Sequence, residues 1–384
     1  MDQALGLCIE REQRLSQNYI IHIITTIELG GAEKQLLTLA SCQKEKGDFV
    51  EIVFLKDSPS LLKDFTDRGI TVNAKFASLA FWRQVLELRK RREDKDVVFH
   101  AHLPRAEILC ALALKSKTFV VTRHNTEIFF PTAPKVVSRI LSRFVLRRAF
   151  ASISISKAVS EFIETAREYS KSSKNYLIYY GIPARSIKSQ FDGVQVSKEI
   201  HLGTVARLVP QKNLPLLLET TKEFSKSYTK DFSLSIVGKG PLQESLESQI
   251  TNLGIQDFIL WRGTLPNLEN FYKSLDVFVL LSNYEGLGLV LLEAMSYGIP
   301  VIARATSAIP EVLGENHPGL VASEDPLEIA RSIWMVLSDR SVRKKLLEVQ
   351  STRIRQFDVE TNYKLHRDLY LKVLKEDGRK RLDG

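Results

Sequence analysis

The sequence predicts an α/β protein built from two successive doubly wound parallel sheets, and three observations carry that expectation. Strand-length apolar runs alternate with helix-length segments from Tyr19 onward, the pattern of βα units whose strands are buried on both faces. The alternation breaks once, at the polar, aperiodic stretch Ala184 to Glu199, and restarts at Ile200. A length of 384 residues, 44% hydrophobic and 26% charged, suits two or three globular domains.

In the first array, Tyr19 to Ile27 reads as a buried strand, and Glu28-Leu-Gly30-Gly31-Ala-Glu33 turns it into a helix bearing Leu36, Leu37, Leu39 and Ala40. A strand-Gly-Gly-helix opening can hold phosphate on backbone N–H groups, although a Gly-Gly pair alone usually marks only a tight turn. Further strands are expected at Phe49 to Leu55, Asp96 to His102, Thr118 to Thr122, Ala151 to Ile155 and Tyr176 to Tyr179. Such sheets bind ligands beyond the C-terminal ends of their strands, where His100, His102 and Arg123-His124-Asn125 fall.

The second array opens with Ile200 to Ala206 and the turn Arg207-Leu-Val-Pro210-Gln-Lys212-Asn213, whose two cations suit an anion clamp or simply stand in water. Phe232 to Pro241, with Gly238 and Gly240, and Phe258 to Leu265, with Arg262 and Gly263, supply the next strand ends. Asp276 to Leu281 and Pro300 to Ala303 then bracket a helix expected from Leu287 to Tyr297, stopped by Gly298 and Pro300. Glu293 lies among Leu-Val-Leu-Leu-Glu-Ala-Met, where an unpaired carboxylate costs several kcal/mol, so it needs a donor such as a ligand hydroxyl. Glu285 stands eight residues earlier, and Gly286 and Gly288 allow an anion close to the backbone N–H groups up to Leu289. Helices are expected over Pro326 to Leu337, Val342 to Phe357 and Thr361 to Lys375, with Arg379-Lys380-Arg381 as a frayed end.

Composition bounds the setting. Cys8, Cys42 and Cys110 are scattered and odd in number, which favours a reducing compartment over a disulfide framework. The N-terminus lacks a secretory pattern, and no apolar run reaches about eighteen residues, so a cytoplasmic chain without a membrane span is expected. The net charge of +9 is lopsided: residues 1–185 hold 29 Lys and Arg against 20 Asp and Glu, and residues 186–384 hold 25 of each. No helix-turn-helix, zinc-finger or RNA-recognition signature accompanies it, which argues against nucleic acid as partner. Asp94-Lys-Asp96 spells a metal-binding motif of another fold but lies in a charged run before a strand, away from the strand's ligand-facing end.

Three of these segments resemble retaining glycosyltransferases of family 4. They are Glu285-Gly-Leu-Gly-Leu-Val-Leu-Leu-Glu293 with the following Ala-Met-Ser-Tyr-Gly-Ile-Pro, Gly203-Thr-Val-Ala-Arg207-Leu-Val-Pro-Gln-Lys212-Asn, and Gly30-Gly31-Ala-Glu33. The resemblance covers almost the whole chain and implies the GT-B fold: two facing Rossmann-like domains with the active site in the cleft between them. It sets an acceptor-side domain at 1–185, a linker at 186–199, a donor domain at 200–357, and a terminal helix at 358–384 that crosses back to the first domain.

The resemblance also implies roles. His124 and Glu285 act at the reacting sugar, Glu285 through its hydroxyls, and Glu293 holds the ribose. Arg207, Lys212 and the N–H groups around Gly286, Leu287, Gly288 and Leu289 meet the donor diphosphate. Gly30 and Gly31 approach the diphosphate and acceptor, and Gly238, Arg262 and Leu265 lie beside the base. With cations and a helix dipole on the leaving group, no metal and no cofactor beyond the nucleotide sugar is required. Retention follows from the resemblance alone. UDP-glucose is the default donor, and a glycan or lipid-linked acceptor of envelope or exopolysaccharide synthesis is the expected partner. The rivals are a sugar-nucleotide epimerase on the same fold and a catalytically silent sugar-nucleotide or membrane-binding module. Oligomeric state is left open.

Lys135, Arg139, Arg143 and Arg147 recur every four residues among Val136, Val137, Ile140, Leu141, Phe144, Val145 and Leu146. Such a basic amphipathic helix is either a domain helix with its apolar side on the sheet or a rest for an anionic inner membrane surface, with Arg89-Lys-Arg-Arg92 nearby.

Overall fold

The computed structural model describes residues 18–56, 59–92, 96–169, 173–183 and 199–382. The chain divides into two compact units, Met1–Pro183 with Val359–Gly384, and Ala184–Asp358. Cys8, Asp94, Lys95 and most of the stretch between the two arrays lie outside the described residues.

The first unit holds a seven-stranded sheet whose registered pairs are all parallel, in the order β3-β2-β1-β4-β5-β6-β7. Its strands are β1 (Tyr19–Ile24), β2 (Phe49–Phe54), β3 (Thr71–Asn73), β4 (Val97–His102), β5 (Phe119–Arg123), β6 (Ala151–Ser154) and β7 (Lys174–Leu177). The order reverses beside β1, because the chain winds outward through α1 (Gly31–Glu45) and α2 (Leu62–Asp67), then returns through α3 (Phe81–Arg89), α4 (Pro104–Ala113), α5 (Lys135–Arg148) and α6 (Lys157–Thr165). Right-handed crossovers therefore put α1 and α2 on one face and α3 to α6 on the other. Helix α4 packs against both α3 and α5.

The C-terminal helix, Val359–Leu382, belongs to this unit and packs on α1 and β4. Its entry depends on Gly181: a Cβ there would stand 2.6 Å from Val359 Cα, so only glycine lets the helix begin so close. The Val359 N–H donates to Ile182 O at 3.1 Å, and the Asn362 amide donates to Tyr179 O. The helical backbone continues through Arg379-Lys380-Arg381 rather than fraying before them.

The second unit holds a six-stranded sheet, again with all registered pairs parallel, in the order β10-β9-β8-β11-β12-β13. The strands are β8 (Ile200–Val205), β9 (Phe232–Val237), β10 (Ile259–Gly263), β11 (Val277–Leu280), β12 (Val301–Arg304) and β13 (Leu320–Val321). Among the described residues seven α-helices accompany them: α7 (Leu214–Ser227), α8 (Gln243–Leu253), α9 (Glu269–Lys273), α10 (Leu289–Ser296), α11 (Ile309–Leu313), α12 (Pro326–Ser338) and α13 (Arg340–Ile354). Leu202, Leu234, Ile236, Val277 and Val279 from the central strands form one core with Leu218 and Phe224 of α7 and Ile333 of α12. Helix α10 starts two residues later than the sequence suggests. Gly288 adopts φ 86°, a left-handed conformation that keeps the preceding turn out of the helix and leaves it as a loop.

Candidate functional site

In the second unit, the C-terminal ends of β8 and β11 bring the turn 207–213 against the loop 282–288. A single 3₁₀ turn, Pro210–Lys212, ends at Asn213 in a left-handed conformation of φ 47°, which asparagine tolerates better than most residues. That turn delivers Lys212 to Glu285. Lys212 Nζ donates to Oε1 at 2.6 Å and Oε2 at 2.9 Å, and the Ser282 hydroxyl donates to Oε1 at 2.7 Å. The backbones are tied as well: Asn283 N–H donates to Gln211 O at 2.8 Å, the Gln211 amide to Tyr284 O at 2.9 Å, and the Ser307 hydroxyl to Glu285 O at 2.9 Å. Lys212 and Glu285, assigned separately to diphosphate and sugar, are thus one little-exposed ion pair. Such a pair fixes both side chains, and removing either leaves a costly unpaired charge.

Arg207 is exposed and forms no ion pair among the described residues. Beyond Glu285, the buried backbone N–H groups of Leu287 and Gly288 and that of Leu289 have no acceptor among the described residues, and they point the positive end of α10 at whatever binds there. Gly238 allows the neighbouring strand end to close up: at φ 142° its Cβ would fall 1.9 Å from Ala206 O, and its N–H donates to Gly263 O at 2.7 Å. Arg262 is exposed and donates to Ser235 Oγ at 3.3 Å, while Leu265 is half-buried.

Glu293 does not wait for a ligand to supply its donor. The buried Tyr272 hydroxyl, on α9, donates to its Oε2 at 2.7 Å and stacks its ring on Tyr297. Glu293 itself is half-buried, so α10 is not covered all round. The spacing Ser282-x-x-Glu285 could have flagged Ser282, since a hydroxyl three residues from a carboxylate can reach it. Nothing local could have flagged Tyr272.

In the first unit, the parallel register sets His22 on β1 beside His100 on β4, and the period of two puts His102 on the same face. That face lies under α1 and the C-terminal helix, where Gln43, His366 and Tyr370 meet it. His100 is fully buried and bonds Tyr370 and Thr122, both at 2.7 Å, so it lies in the interior rather than at a ligand-facing end. Half-buried His124 follows β5, with Nε2 3.1 Å from His102 Nδ1 and Nδ1 2.6 Å from the Tyr180 hydroxyl. Burial holds His22 and His124 down to about 3 and His366 to about 4, and it pushes His100 and His102 well below the usual histidine value. All five are neutral near neutral pH.

Arg123, adjacent to His124, turns inward. It pairs with Glu107 at 3.1 Å and Glu168 at 3.6 Å, donates to Ser142 Oγ at 3.0 Å, and stacks over Phe129. Gly30 and Gly31 divide their work at the start of α1. A Cβ on Gly30 would meet the Glu33 carboxylate at 2.2 Å, so that helix N-terminus already carries an acid, whereas Gly31 is exposed with no atom within 4 Å of its missing Cβ.

Helix α5 corrects the expected stripe. A spacing of four drifts about 40° per step against a 3.6-residue turn, so Lys135 and Arg147 end about 120° apart. The inward face is built from Ser138, Ser142, Val145 and Leu146, because Ser138 Oγ accepts from Phe130 N–H at 2.8 Å and Ser142 accepts from Arg123. Val136, Val137 and Ile140 stand in solvent at 63%, 44% and 61% exposure, beside exposed Lys135 and Arg147. Arg139 is held by Ala166 O at 3.1 Å, and within the Arg89–Arg92 run Lys90 pairs with Glu87 and Arg91 with Glu51.

Two Rossmann-like parallel-sheet units in one chain define the GT-B architecture. Residues 29–186 match the family model described as Glycosyltransferase Family 4, and residues 187–351 match that of Glycosyl transferases group 1. The chain belongs to the GT-B glycosyltransferases and is a hexosyltransferase. It is 25% identical to an N-acetyl-D-galactosaminyltransferase of Campylobacter jejuni, named for a PP-undecaprenol-linked glycan, over 88% of this chain and 94% of that one. It is 27% identical to the lipopolysaccharide core mannosyltransferase LpsB of Rhizobium meliloti over 64% of this chain and 71% of that one. Among solved structures, Anabaena HepE in complex with UDP-glucose superposes with a TM-score of 0.78 at 19% identity, over 92% of this chain and all of that one.

Proposed function

We propose that the enzyme transfers a sugar from a UDP-sugar, UDP-glucose first among them, to a glycan or lipid-linked acceptor of envelope or exopolysaccharide synthesis, with retention and without a metal ion. The observation that carries this reading is the cluster at the ends of β8 and β11: Lys212 locked on Glu285, Arg207 unpaired, and the open N–H groups of Leu287 to Leu289. Breaking the bond from the anomeric carbon to the phosphate oxygen leaves negative charge on the nucleotide and positive charge on the sugar ring; the acceptor oxygen then bonds to the anomeric carbon, and its proton passes to the departing diphosphate. Cations and backbone N–H groups held in place before the reaction stabilise that leaving group without reorganising, the role a divalent ion would otherwise take. Glu285 then accepts from sugar hydroxyls, Glu293 keeps an oxygen for the ribose beside its Tyr272 bond, and His124 attends the reacting sugar. The names of the Campylobacter and Anabaena proteins support the acceptor and donor classes.

The test is nucleotide release from a panel of nucleotide sugars, with and without chelator, and NMR of the product anomer. Release that is selective for a UDP-sugar, insensitive to chelation and retaining is expected. Sugar interconversion without release would make the protein an epimerase, no turnover would make it a binding module, and restoration by manganese after chelation would overturn metal independence.

The same reading places the enzyme on the inner face of a membrane, supported by α5. Apolar Val136, Val137 and Ile140 would enter the headgroup region, while Lys135, Arg143 and Arg147 contribute roughly 1 kcal/mol each against an anionic surface. Co-sedimentation should require anionic vesicles and weaken in high salt; equal pelleting with neutral vesicles would refute the electrostatic part.

A further inference from the structure

The histidines of the first unit form a directed chain of hydrogen bonds. Gln43 Oε1 lies 2.9 Å from His22 Nε2, His22 Nδ1 lies 3.0 Å from His102 Nε2, His102 Nδ1 lies 3.1 Å from His124 Nε2, and His124 Nδ1 lies 2.6 Å from the Tyr180 hydroxyl. A neutral imidazole has one donor and one acceptor, so the direction of one link fixes the next. An amide oxygen only accepts. His22 must therefore carry its proton on Nε2, which leaves Nδ1 to accept from His102, and the same choice repeats at His102 and His124 until Tyr180 donates. Gln43 Nε2 is buried without a hydrogen-bond partner among the described residues, so the orientation of the amide is carried by the contact of its oxygen with His22. His100 lies on a separate branch, between the Tyr370 and Thr122 hydroxyls, each of which can donate or accept.

His22, His100 and His102 bring ring nitrogens within 4.8 Å of one another, the spacing of a three-histidine metal site. All six of those nitrogens already have partners, and their polarity closes with every ring neutral, so the group is a hydrogen-bond circuit rather than an open ligand set. It is also not a proton conduit. The chain ends on an amide oxygen, which cannot pass a proton on.

We propose that Gln43, His22 and His102 are positioning residues that hold His124 in one tautomer, protonated on Nε2 with its Nδ1 lone pair on the Tyr180 hydroxyl. A fixed neutral ring adds no positive charge where the sugar becomes positive, and it leaves the Tyr180 oxygen free to accept from a ligand hydroxyl. Its place in transfer rests on the reading of His124 given above; the tautomer itself does not.

The test is a two-bond ¹⁵N–¹H correlation on full-length protein labelled at its seven histidines. His124 is expected as the Nε2–H form, and it should stay so in Tyr180→Phe, because direction is set from the Gln43 end. Gln43→Met should give mixed tautomers at His22, His102 and His124 and lower kcat about tenfold or more with little change in donor KM. Gln43→Glu, which keeps an accepting oxygen, should restore both. An Nδ1–H form in the unmodified protein, a switch in Tyr180→Phe, unchanged tautomers in Gln43→Met, or resonances that move on chelation would each overturn the proposal. Mixed tautomers with unchanged kcat would overturn the role in transfer, and would lay that failure on the reading of His124 rather than on the circuit.

Discussion

Acidification should loosen the first unit well before the second. His22, His100, His102 and His366 are buried there as neutral rings whose protonation burial pushes to about 3, well below normal, well below normal and about 4, against an ordinary value of 6.5. The unfolded chain takes up protons near pH 6.5 and the folded chain does not, so stability present above that pH is lost as pH falls toward 4. Between about pH 7.5 and 5.5 each such histidine costs about 1.4 kcal/mol, and with His124, which burial also holds to about 3, the five cost about 7 kcal/mol. Glu107 opposes this. Burial, with Arg123 pulling the other way, lifts its carboxyl from 4.5 to about 7, so the folded state gains a proton over the same range and recovers about 2 kcal/mol. The net loss of about 5 kcal/mol is a large share of a typical domain's 5–15 kcal/mol. The second unit buries one comparable ring, His317, held near 4, and should lose about 1.4 kcal/mol. Native-state hydrogen exchange at the two pH values, corrected for intrinsic rates, reads both units in one sample. Protection in β1 and β4 that falls no further than in β9 and β11 would refute the neutral, buried histidine layer.

Three further outcomes are expected. Arg207→Ala should lower turnover on the order of a hundredfold with an unchanged melting temperature, because the side chain is exposed and unpaired, whereas Lys212→Ala should lower both by stranding Glu285; equal thermal behaviour in the two would contradict the ion pair. Gly238→Ala, whose Cβ would collide with Ala206 O, should destabilise the second unit by about 3 kcal/mol or more in a urea titration, and a neutral result would exclude that close approach. Trp82, 68% exposed on α3 one turn from Leu86, should shift its fluorescence to the blue on anionic vesicles and lose the shift in high salt, if the face bearing α3 and α5 meets a membrane; a spectrum indifferent to vesicles would remove α3 from that contact.

Much of this molecule was legible locally. The switch between apolar runs and helix-length segments marked both sheets, and glycines, prolines and an asparagine marked the turns at 207–213 and 282–288, because backbone conformation there depends on the residue in place. The same reading placed Arg207, Lys212 and Glu285 at a strand end or just before a helix, and Glu293 inside that helix. It erred where a side chain's partner is distant. Lys212 reaches Glu285 across 73 positions, Tyr272 reaches Glu293 across 21, and His22 reaches His102 across 80. Helix α5 shows the limit most plainly. Its apolar positions predicted an inward face, yet two serines are buried because Arg123 and the Phe130 N–H need acceptors there, and Val136 and Ile140 are left outside. Periodicity states which residues share a face. Which face is covered, and whether a buried polar group is satisfied, depends on groups brought together by the sheet order, and that was decided only by the tertiary structure.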